Sequence, residues 1–293
     1  MSSHHRQIHR AVIPAAGFGT RMLPAAKAVP KELLPILDRP TIQYVVEEAA
    51  SAGIDDVLLI TAPGKDAIER HFQVNRELQG RLQSSGREAL LESLNRLIAQ
   101  VKVHSVHQLQ QRGLGDAVAH ARPHMRDEPF ACLLGDTIFS GGISPAKQLA
   151  EAYAEFGTCI IGLEEVAADK VERYGIVGGA RVRDGVIRID TLIEKPAAAQ
   201  APSRYAIAAR YVLTPAIFDC LARTAPGRGG EIQLTDALRL LLQREQIHGV
   251  VLGAARHDVG NPLDWLKTNL LFAARDPALR RQLQPLLRTL LQE

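Results

Sequence analysis

Cysteine, excess charge and long apolar runs are all scarce in this chain of 293 residues, and each scarcity closes off a class of protein. The three cysteines, Cys132, Cys159 and Cys220, stand far apart, without the close pairs of zinc sites or disulfide frameworks. They are expected to be reduced core residues. Lys and Arg total 35 against 32 Asp and Glu, a net charge of +3, and the two signs are interleaved along the chain. No stripe for nucleic acid or for a membrane surface is implied, so any basic site must be local. No apolar run approaches the roughly 20 residues needed to cross a bilayer. The polar stretch Met1 to Arg10, with His4, His5 and His9, lacks the apolar segment of a signal peptide. A cytoplasmic protein with no nucleic-acid or membrane partner is expected.

What is present suits a globular core: 46% hydrophobic and 23% charged residues. Short Val/Ile-rich runs alternate with helical patterns, as in a parallel sheet covered on both faces, so the fold class is α/β. Strands are expected at Ala11–Pro14, Asp56–Thr61, Lys102–Val106 and Phe130–Leu134. One helix should carry Ile42, Val45, Val46 and Ala49 on one face and end at Gly53. Further helical patterns run through Phe72 and through Leu90–Ile98. From Thr158 strands dominate: Thr158–Leu163, Gly175–Val177, Gly185–Ile193 and Tyr205–Leu213, with Asp184-Gly185 a hairpin signal. Helix Leu234–Leu242, strand Val250–Ala254, a helix from Pro262 and an amphipathic tail with Leu279, Leu283, Leu286, Leu287, Leu290 and Leu291 complete the pattern.

The first strand runs into Ala15-Ala16-Gly17-Phe18-Gly19-Thr20-Arg21. Two glycines let backbone N–H groups approach an anion closely, with Arg21 in reach. The segment lacks the Lys-Ser/Thr of a Walker loop and the third glycine of a dinucleotide fingerprint. Taken alone, a Gly-x-Gly turn is more often only a tight turn. The following stretch changes that weighting: prolines at 24, 30, 35 and 40 stiffen a loop that presents Arg21, Lys27 and Lys31. Two phosphorylated substrates repel each other unless cations gather around them, and this loop supplies cations.

The run from Gly17 to Pro35 resembles the signature of the nucleotide-sugar pyrophosphorylases. Its Lys27-Ala28-Val29-Pro30-Lys31-Glu32 portion is similar to the branch that joins UTP to glucose 1-phosphate, the bacterial UTP-glucose-1-phosphate uridylyltransferases. Further matches follow in family order: Gln108 with Gly113-Leu114-Gly115, Gly135-Asp136, Tyr174-Gly175-Ile176, Glu194-Lys195-Pro196, Arg210 to Leu213, Glu231 to Ala237, and Asp258-Val259-Gly260-Asn261. The resemblance implies one nucleotidyltransferase domain over 1–293, Rossmann-like, with a mixed, mostly parallel sheet flanked by helices and a smaller β-rich sugar lobe. Residues 9–157 would be mainly nucleotide-binding, 158–261 mainly sugar-phosphate-binding, and 262–293 C-terminal helices.

Roles carried by the resemblance follow residue by residue. Ala15, Ala16, Gly17, Gly19 and Thr20, with Gln108 and Gly113, would hold the nucleotide. Arg21 and Lys31 would act on the triphosphate and the leaving pyrophosphate. Tyr174, Gly175, Glu194, Lys195 and Glu231 would hold the sugar phosphate. Asp136 and Asp258 would bind Mg²⁺, an ion content with one or two carboxylates plus phosphate oxygens and water. Because a sugar phosphate is a dianion above pH about 6, no base is needed, and Arg21, Lys31, Lys195 and Asp136 are the expected catalytic set. Of the histidines only His257, beside Asp258, is worth watching.

Six positions depart from the uridylyltransferase pattern: Ala26 for Thr, Asp116 for His, Gly135 for Pro, Ala209 for Gly, Gly230 for an acidic residue and Val259 for Cys. Gly135-Asp136 looks more like the thymidylyltransferase branch. Thymidylyl transfer from dTTP and a catalytically silent paralogue are therefore the competing readings. The family resemblance also suggests a homodimer or homotetramer.

Overall fold

In a computed structural model the chain is described from Gln7 to Leu290, leaving His4, His5 and Leu291 outside the described residues. The elements run β1 (Arg10–Pro14), β2 (Pro35–Ile36), β3 (Arg39–Pro40), α1 (Thr41–Ser51), β4 (Asp56–Thr61), α2 (Ala67–His71), α3 (Arg76–Ser84), α4 (Glu92–Gln100) and β5 (Lys102–His107). Next come α5 (Leu114–Ala119), α6 (Arg122–Met125), β6 (Phe130–Leu133), β7 (Thr137–Ser140), α7 (Pro145–Phe156) and β8 (Cys159–Glu165). The rest are β9 (Gly175–Arg183), β10 (Val186–Glu194), β11 (Tyr205–Leu213), α8 (Ala216–Arg223), α9 (Leu234–Leu241), β12 (Ile247–Val251), β13 (Ala255–Asp258), α10 (Pro262–Arg275) and α11 (Pro277–Leu290).

Nine strands form one sheet in the order β5-β4-β1-β6-β11-β8-β12-β10-β9. It is parallel through β5, β4, β1 and β6 and again between β8 and β12, and antiparallel elsewhere. The α/β class expected from the alternating pattern is what the chain adopts. One apolar layer buries Ile13, Leu59 and Leu133 under α1, α4 and α7. The other buries Val12, Leu58, Ile60 and Cys132 under α5, α6, α8 and α9. Successive strand residues thus feed opposite faces. All three thiols are buried and free, and burial pushes that of Cys132 up to about 12.

Where strand positions differ from the sequence expectation, the reason is local. The run expected at Val250–Ala254 lies at Ile247–Val251, because Gly249, which reads as a turn, sits inside the sheet. A Cβ there would lie 2.4 Å from Leu163, so only glycine lets the strands and side chains approach this closely. β13 is polar and carries no alternation to announce it. α3 buries no residue fully, and its start is marked by the Asn75 N-cap, whose side chain accepts from Leu78 N at 3.0 Å.

One buried ion pair ties the two halves of the sheet to α1. Arg210 on β11 is fully buried; its Nε donates to Glu48 Oε1 at 2.9 Å and its Nη2 to Glu48 Oε2 at 2.8 Å. The same guanidinium donates to the carbonyls of Thr137 at 2.8 Å and Ala209 at 3.1 Å. Ala209, a usual glycine in the resembled branch, sits at a bulge of β11 with φ of 59°, a conformation that favours glycine. Removing one partner of a buried pair strands the other charge. Arg210→Met is expected to lower stability by about 3–5 kcal/mol, read from the urea midpoint; a change below about 1 kcal/mol would show that the pair does not hold the sheet to α1.

Candidate active site

The chain leaves β1 for β4 on one side and reaches β6 on the other, so a crevice opens beyond the C-terminal ends of β1 and β6. Open α/β sheets bind ligands at such a switch point. The segment Ala15–Arg21 emerges from β1 and Gly135-Asp136 from β6, so two of the strongest sequence candidates meet there. Ala15 N still donates to Ile60 O at 2.8 Å, extending the ladder by one step. Gly19 then turns left-handed with φ of 66°, and a 3-10 turn over Thr20–Met22 brings Arg21 back over the strand ends. A Cβ on Gly17 would meet nothing within 4 Å, so the loop presents open backbone there.

A residue that the sequence reading passed over holds this loop. Lys65, just after β4, donates from Nζ to Ala15 O at 2.6 Å and Gly17 O at 2.7 Å. The same ammonium lies 3.1 Å from Glu32, which is 1% exposed. Burial raises the Glu32 carboxyl pKa and lowers that of Lys65, so both are pushed toward neutrality against their mutual attraction, which Lys31 supports at Glu32 and Asp136 at Lys65. The strand-end rule that found Asp136 would have found Lys65, which follows Pro63-Gly64.

Lys31 Nζ lies 2.5 Å from Asp136 Oδ2, and both side chains are largely buried. Burial is the largest single influence and opposes the charge on each, but the attractions together outweigh it, with Glu32 helping Lys31 and Arg21 helping Asp136: the Asp136 carboxyl is held below its usual range, and the Lys31 ammonium is raised above its own. Arg21 and Asp258 converge on the same place. A point one Cβ out from Gly260 lies 2.8 Å from Arg21 Nη2, 3.0 Å from Asp258 Oδ1 and 3.3 Å from Asp136 Oδ2. The missing side chain leaves a cradle with two carboxylates on its wall. Hard oxygen donors around a small hollow fit a hard divalent cation.

Across the crevice, β10 ends in Glu194-Lys195. Lys195 Nζ lies 2.9 Å from Glu194 Oε1, and Glu194 Oε2 accepts from Thr235 Oγ1 at 2.8 Å. Lys195 itself has φ of 46°, a strained value for a residue with a side chain, and its N–H donates to Tyr174 O at 3.0 Å. A Cβ on Gly175 would lie 3.1 Å from Glu194 Oε2, so that glycine leaves room for the carboxylate. The hollow between these groups and Asp136 is about 390 Å³ and is lined also by Arg21, Tyr174, Gly175 and Asp258. Glu231 lies outside that lining, exposed and bonded to Gln233, while Gln233 and Thr235 face the hollow. Arg256, which the sequence did not single out, also lines it; it stacks 4.6 Å from the Tyr174 ring and pairs with Glu164.

Gln108 continues β5 and is 2% exposed. Its Nε2 donates to Gly113 O at 3.2 Å and to Asp116 Oδ2 at 2.7 Å. Gly113 has φ of 100° and presses against residues 231 and 232, where a Cβ would come within 2.8 Å of Ile232 O. A second hollow of about 470 Å³ lies beside this loop, between Ala16, Lys31, Lys65 and Leu109. His257 takes no part: its Nε2 bonds Ser140 Oγ at 2.6 Å, its ring packs on Phe272, and burial lowers its pKa.

The family model for nucleotidyl transferases matches residues 10–274. The chain belongs to the nucleotidyl transferase family. It is 46% identical to a UTP–glucose-1-phosphate uridylyltransferase of Staphylococcus saprophyticus, over 95% of this chain and 96% of that one. A UDP-glucose pyrophosphorylase solved in complex with UDP-glucose matches with a TM-score of 0.84 at 36% identity, covering 90% of this chain and 98% of its own. A UTP-bound enzyme of the same name from Acinetobacter baumannii gives 0.88 at 35%, covering 96% and 98%. Nucleotidyl transferases of this kind use a divalent metal. The cradle at Gly260 sets the carboxylates of Asp136 and Asp258 side by side.

The Lys31–Asp136 pair gives this nucleotidyl transferase a titration that reveals it. The depressed Asp136 contributes stability above its ordinary pKa and loses it as pH falls through the depressed one. Lys31, raised, contributes below its ordinary value and loses it only as pH rises through the raised one. In Asp136→Asn, burial should dominate and lower the Lys31 pKa, read from the NMR shift of its Cε against pH. A Lys31 titration unmoved by the substitution would disprove the coupling.

Proposed function

We propose that this nucleotidyl transferase moves a uridylyl group from UTP to glucose 1-phosphate, releasing pyrophosphate and forming UDP-glucose. The observation that carries the reading is the meeting of Lys31, Asp136, Arg21 and Asp258 at the switch point, facing Glu194-Lys195 across one hollow. The curated relatives and the ligand-bound neighbours supply the substrate names.

In this reading the Ala15–Thr20 backbone takes the nucleotide. Arg21 and Lys31 neutralise the phosphates that leave as pyrophosphate. Lys195 takes the sugar phosphate and, with Glu194, turns the sugar so that its phosphate oxygen lies in line with the α-phosphorus. Tyr174 and Gly175 border the sugar. Mg²⁺ is the ion we assign to Asp136 and Asp258, where it would offset negative charge at the α-phosphate. The attacking group is a dianion above pH about 6, so no side chain has to remove a proton. A cytoplasmic setting suits three buried free thiols. A homodimer or homotetramer is proposed too, with exposed leucines of α10 and α11 such as Leu266, Leu270 and Leu286 available for packing.

Base choice rests on Gln108. Both amide protons are taken, by Gly113 O and Asp116, which leaves Oε1, an acceptor, as the amide atom to read a base. An acceptor matches the N3–H of uracil and repels the bare N3 of cytosine. Asp116, where the resembled branch usually has His, is therefore the group that sets the amide's direction. Asp116→Ala should reduce the UTP-over-CTP ratio of kcat/KM by about 10- to 100-fold; an unchanged ratio would remove Gln108 from base reading.

The reaction itself is tested by pyrophosphate release with Mg²⁺, crossing UTP, dTTP, CTP and ATP with several sugar 1-phosphates. UTP with glucose 1-phosphate should be fastest, dTTP in first place would move the chain to thymidylyl transfer, and silence in every combination would end the enzyme reading. Across pH, kcat/KM for glucose 1-phosphate should rise with unit slope to a plateau near pH about 6, as the phosphate loses its second proton. The depressed Asp136 and raised Lys31 titrate outside that range. An acid limb well above it would demand a general base that this reading lacks.

A further inference from the structure

Far from the crevice, at the opposite ends of the parallel strands, three side chains from three elements converge. Asp56 begins β4, His104 lies on β5 beside it, and His124 lies on α6, which covers that face of the sheet. His124 Nε2 is 2.8 Å from Asp56 Oδ1, and His104 Nε2 is 3.7 Å from the same oxygen. The three donor atoms all lie within 4.8 Å of one another, and the imidazole centroids are 5.2 Å apart, tilted by 54°. Strands of about 3.3 Å per residue put this cluster roughly 17 Å from the loops that carry Ala15 and Asp136.

The geometry points to a binding site for one zinc-class divalent cation, held by Asp56 Oδ1, His104 Nε2 and His124 Nε2. Tetrahedral bonds of about 2.0–2.1 Å place neighbouring donors about 3.3–3.4 Å apart, between the two spacings found here. Shifts of a few tenths of an ångström at Asp56 and modest ring rotations bring the three together, leaving a fourth position for water. Charge favours occupancy. Asp56 Oδ2 is already taken by Arg10 Nε at 3.4 Å, which leaves Oδ1 for the ion. Arg10 is in turn paired with Glu128 at 2.5 Å, so a second carboxylate balances the guanidinium beside Asp56. Arg10 thereby orients the coordinating carboxylate from behind, and its Nη1 reaches Met125 O at the end of α6 at 3.4 Å.

Two imidazoles and one carboxylate select zinc, cobalt or nickel over magnesium, so this site differs in chemistry from the all-oxygen cradle at Gly260. Its occupant would clasp β5, the edge strand, and β4 to α6. His104 is half exposed, giving the ion a way in.

The test uses the full chain in saturating Mg²⁺, titrated with Zn²⁺ by calorimetry and with Co²⁺ by visible absorption. The parent should bind one ion through this site, with the intense absorption of tetrahedral cobalt, and its melting temperature should rise with Zn²⁺. In His104→Ala and His124→Ala affinity should drop at least about tenfold, and the cobalt band and the zinc-dependent rise in melting temperature should vanish. His104→Ala removes a half-exposed ring, so it also guards against loss of fold, and its nucleotidyl transfer with Mg²⁺ alone should equal the parent's. Histidines near the N-terminus are common to all three proteins and give the same background. Binding of equal stoichiometry and affinity in parent and variants, or no binding in the parent, would overturn the site and leave Asp56–His124 a hydrogen-bonded pair only.

Discussion

The arrangement depends most on a single guanidinium with no exposure to solvent. Arg210 gives Nε and Nη2 to Glu48 on α1, and its Nη2 and Nη1 reach the carbonyls of Thr137 and Ala209. Those acceptors belong to the helix that covers the sheet, to the strand that follows Asp136, and to the bulge of β11. A buried arginine costs several kcal/mol to desolvate unless its donors are met, so the acceptors can occupy few other arrangements. The short segment Leu134-Gly135-Asp136 is therefore clamped at its far end, and Asp136 projects into the crevice from a fixed base. The bulge at Ala209 is part of the same constraint, since its carbonyl is one of the acceptors.

A second clamp acts on the other wall. Backbone carbonyls that leave a strand must find donors, and those of Ala15 and Gly17 find the Lys65 ammonium. Glu32 balances that ammonium from beneath, and Glu32 follows Lys31 in sequence. The stiff proline-rich loop is thus bonded to the glycine loop through a buried charge pair, which fixes the spacing between the nucleotide loop and the lysine facing Asp136. Proline content explains why the loop is short of alternative shapes. It does not explain which shape is chosen, and the Lys65–Glu32 pair does.

Much of this was legible in the residues. Periodicity placed β1, β4, β11 and α1 because each buries one face or both faces continuously, and residue pattern follows burial. The candidate cluster was legible through the ordered motifs rather than through any single one, since Lys31, Asp136 and Asp258 lie far apart in sequence and meet only because the loops after β1 and β6 and the small β7–β13 sheet come together at one edge. Harder to read were the other supports: Glu32, Asp116, Thr235 and Arg256. Each is a polar residue whose task is to bond something else that is polar, and the sequence has no period for that. Glu231 shows how finely placement depends on the local backbone. Its neighbours Gln233 and Thr235 face the hollow, while Glu231 turns outward because the chain there is extended and alternates.

Charge pairing resolves a conflict that the function imposes. A site for two phosphorylated substrates needs several cations close together, yet cations gathered in a largely buried crevice repel one another and destabilise the fold. Here each lysine of the crevice lies against a carboxylate: Lys31 on Asp136, Lys195 on Glu194, Lys65 on Glu32. On the proposed reading the carboxylate of the first two is exchangeable, because a phosphate in the hollow would offer more charge and more acceptor oxygens than a carboxyl group. Binding then swaps one ion pair for a stronger one, and little fresh desolvation is incurred. Lys65 differs. Its partner is 1% exposed and two of its donors are committed to backbone carbonyls, so a phosphate would have to break the loop to reach it. On that reading chemically identical groups are divided between holding the site and serving it, and the division follows from burial of the partner carboxylate together with the donors committed to backbone carbonyls.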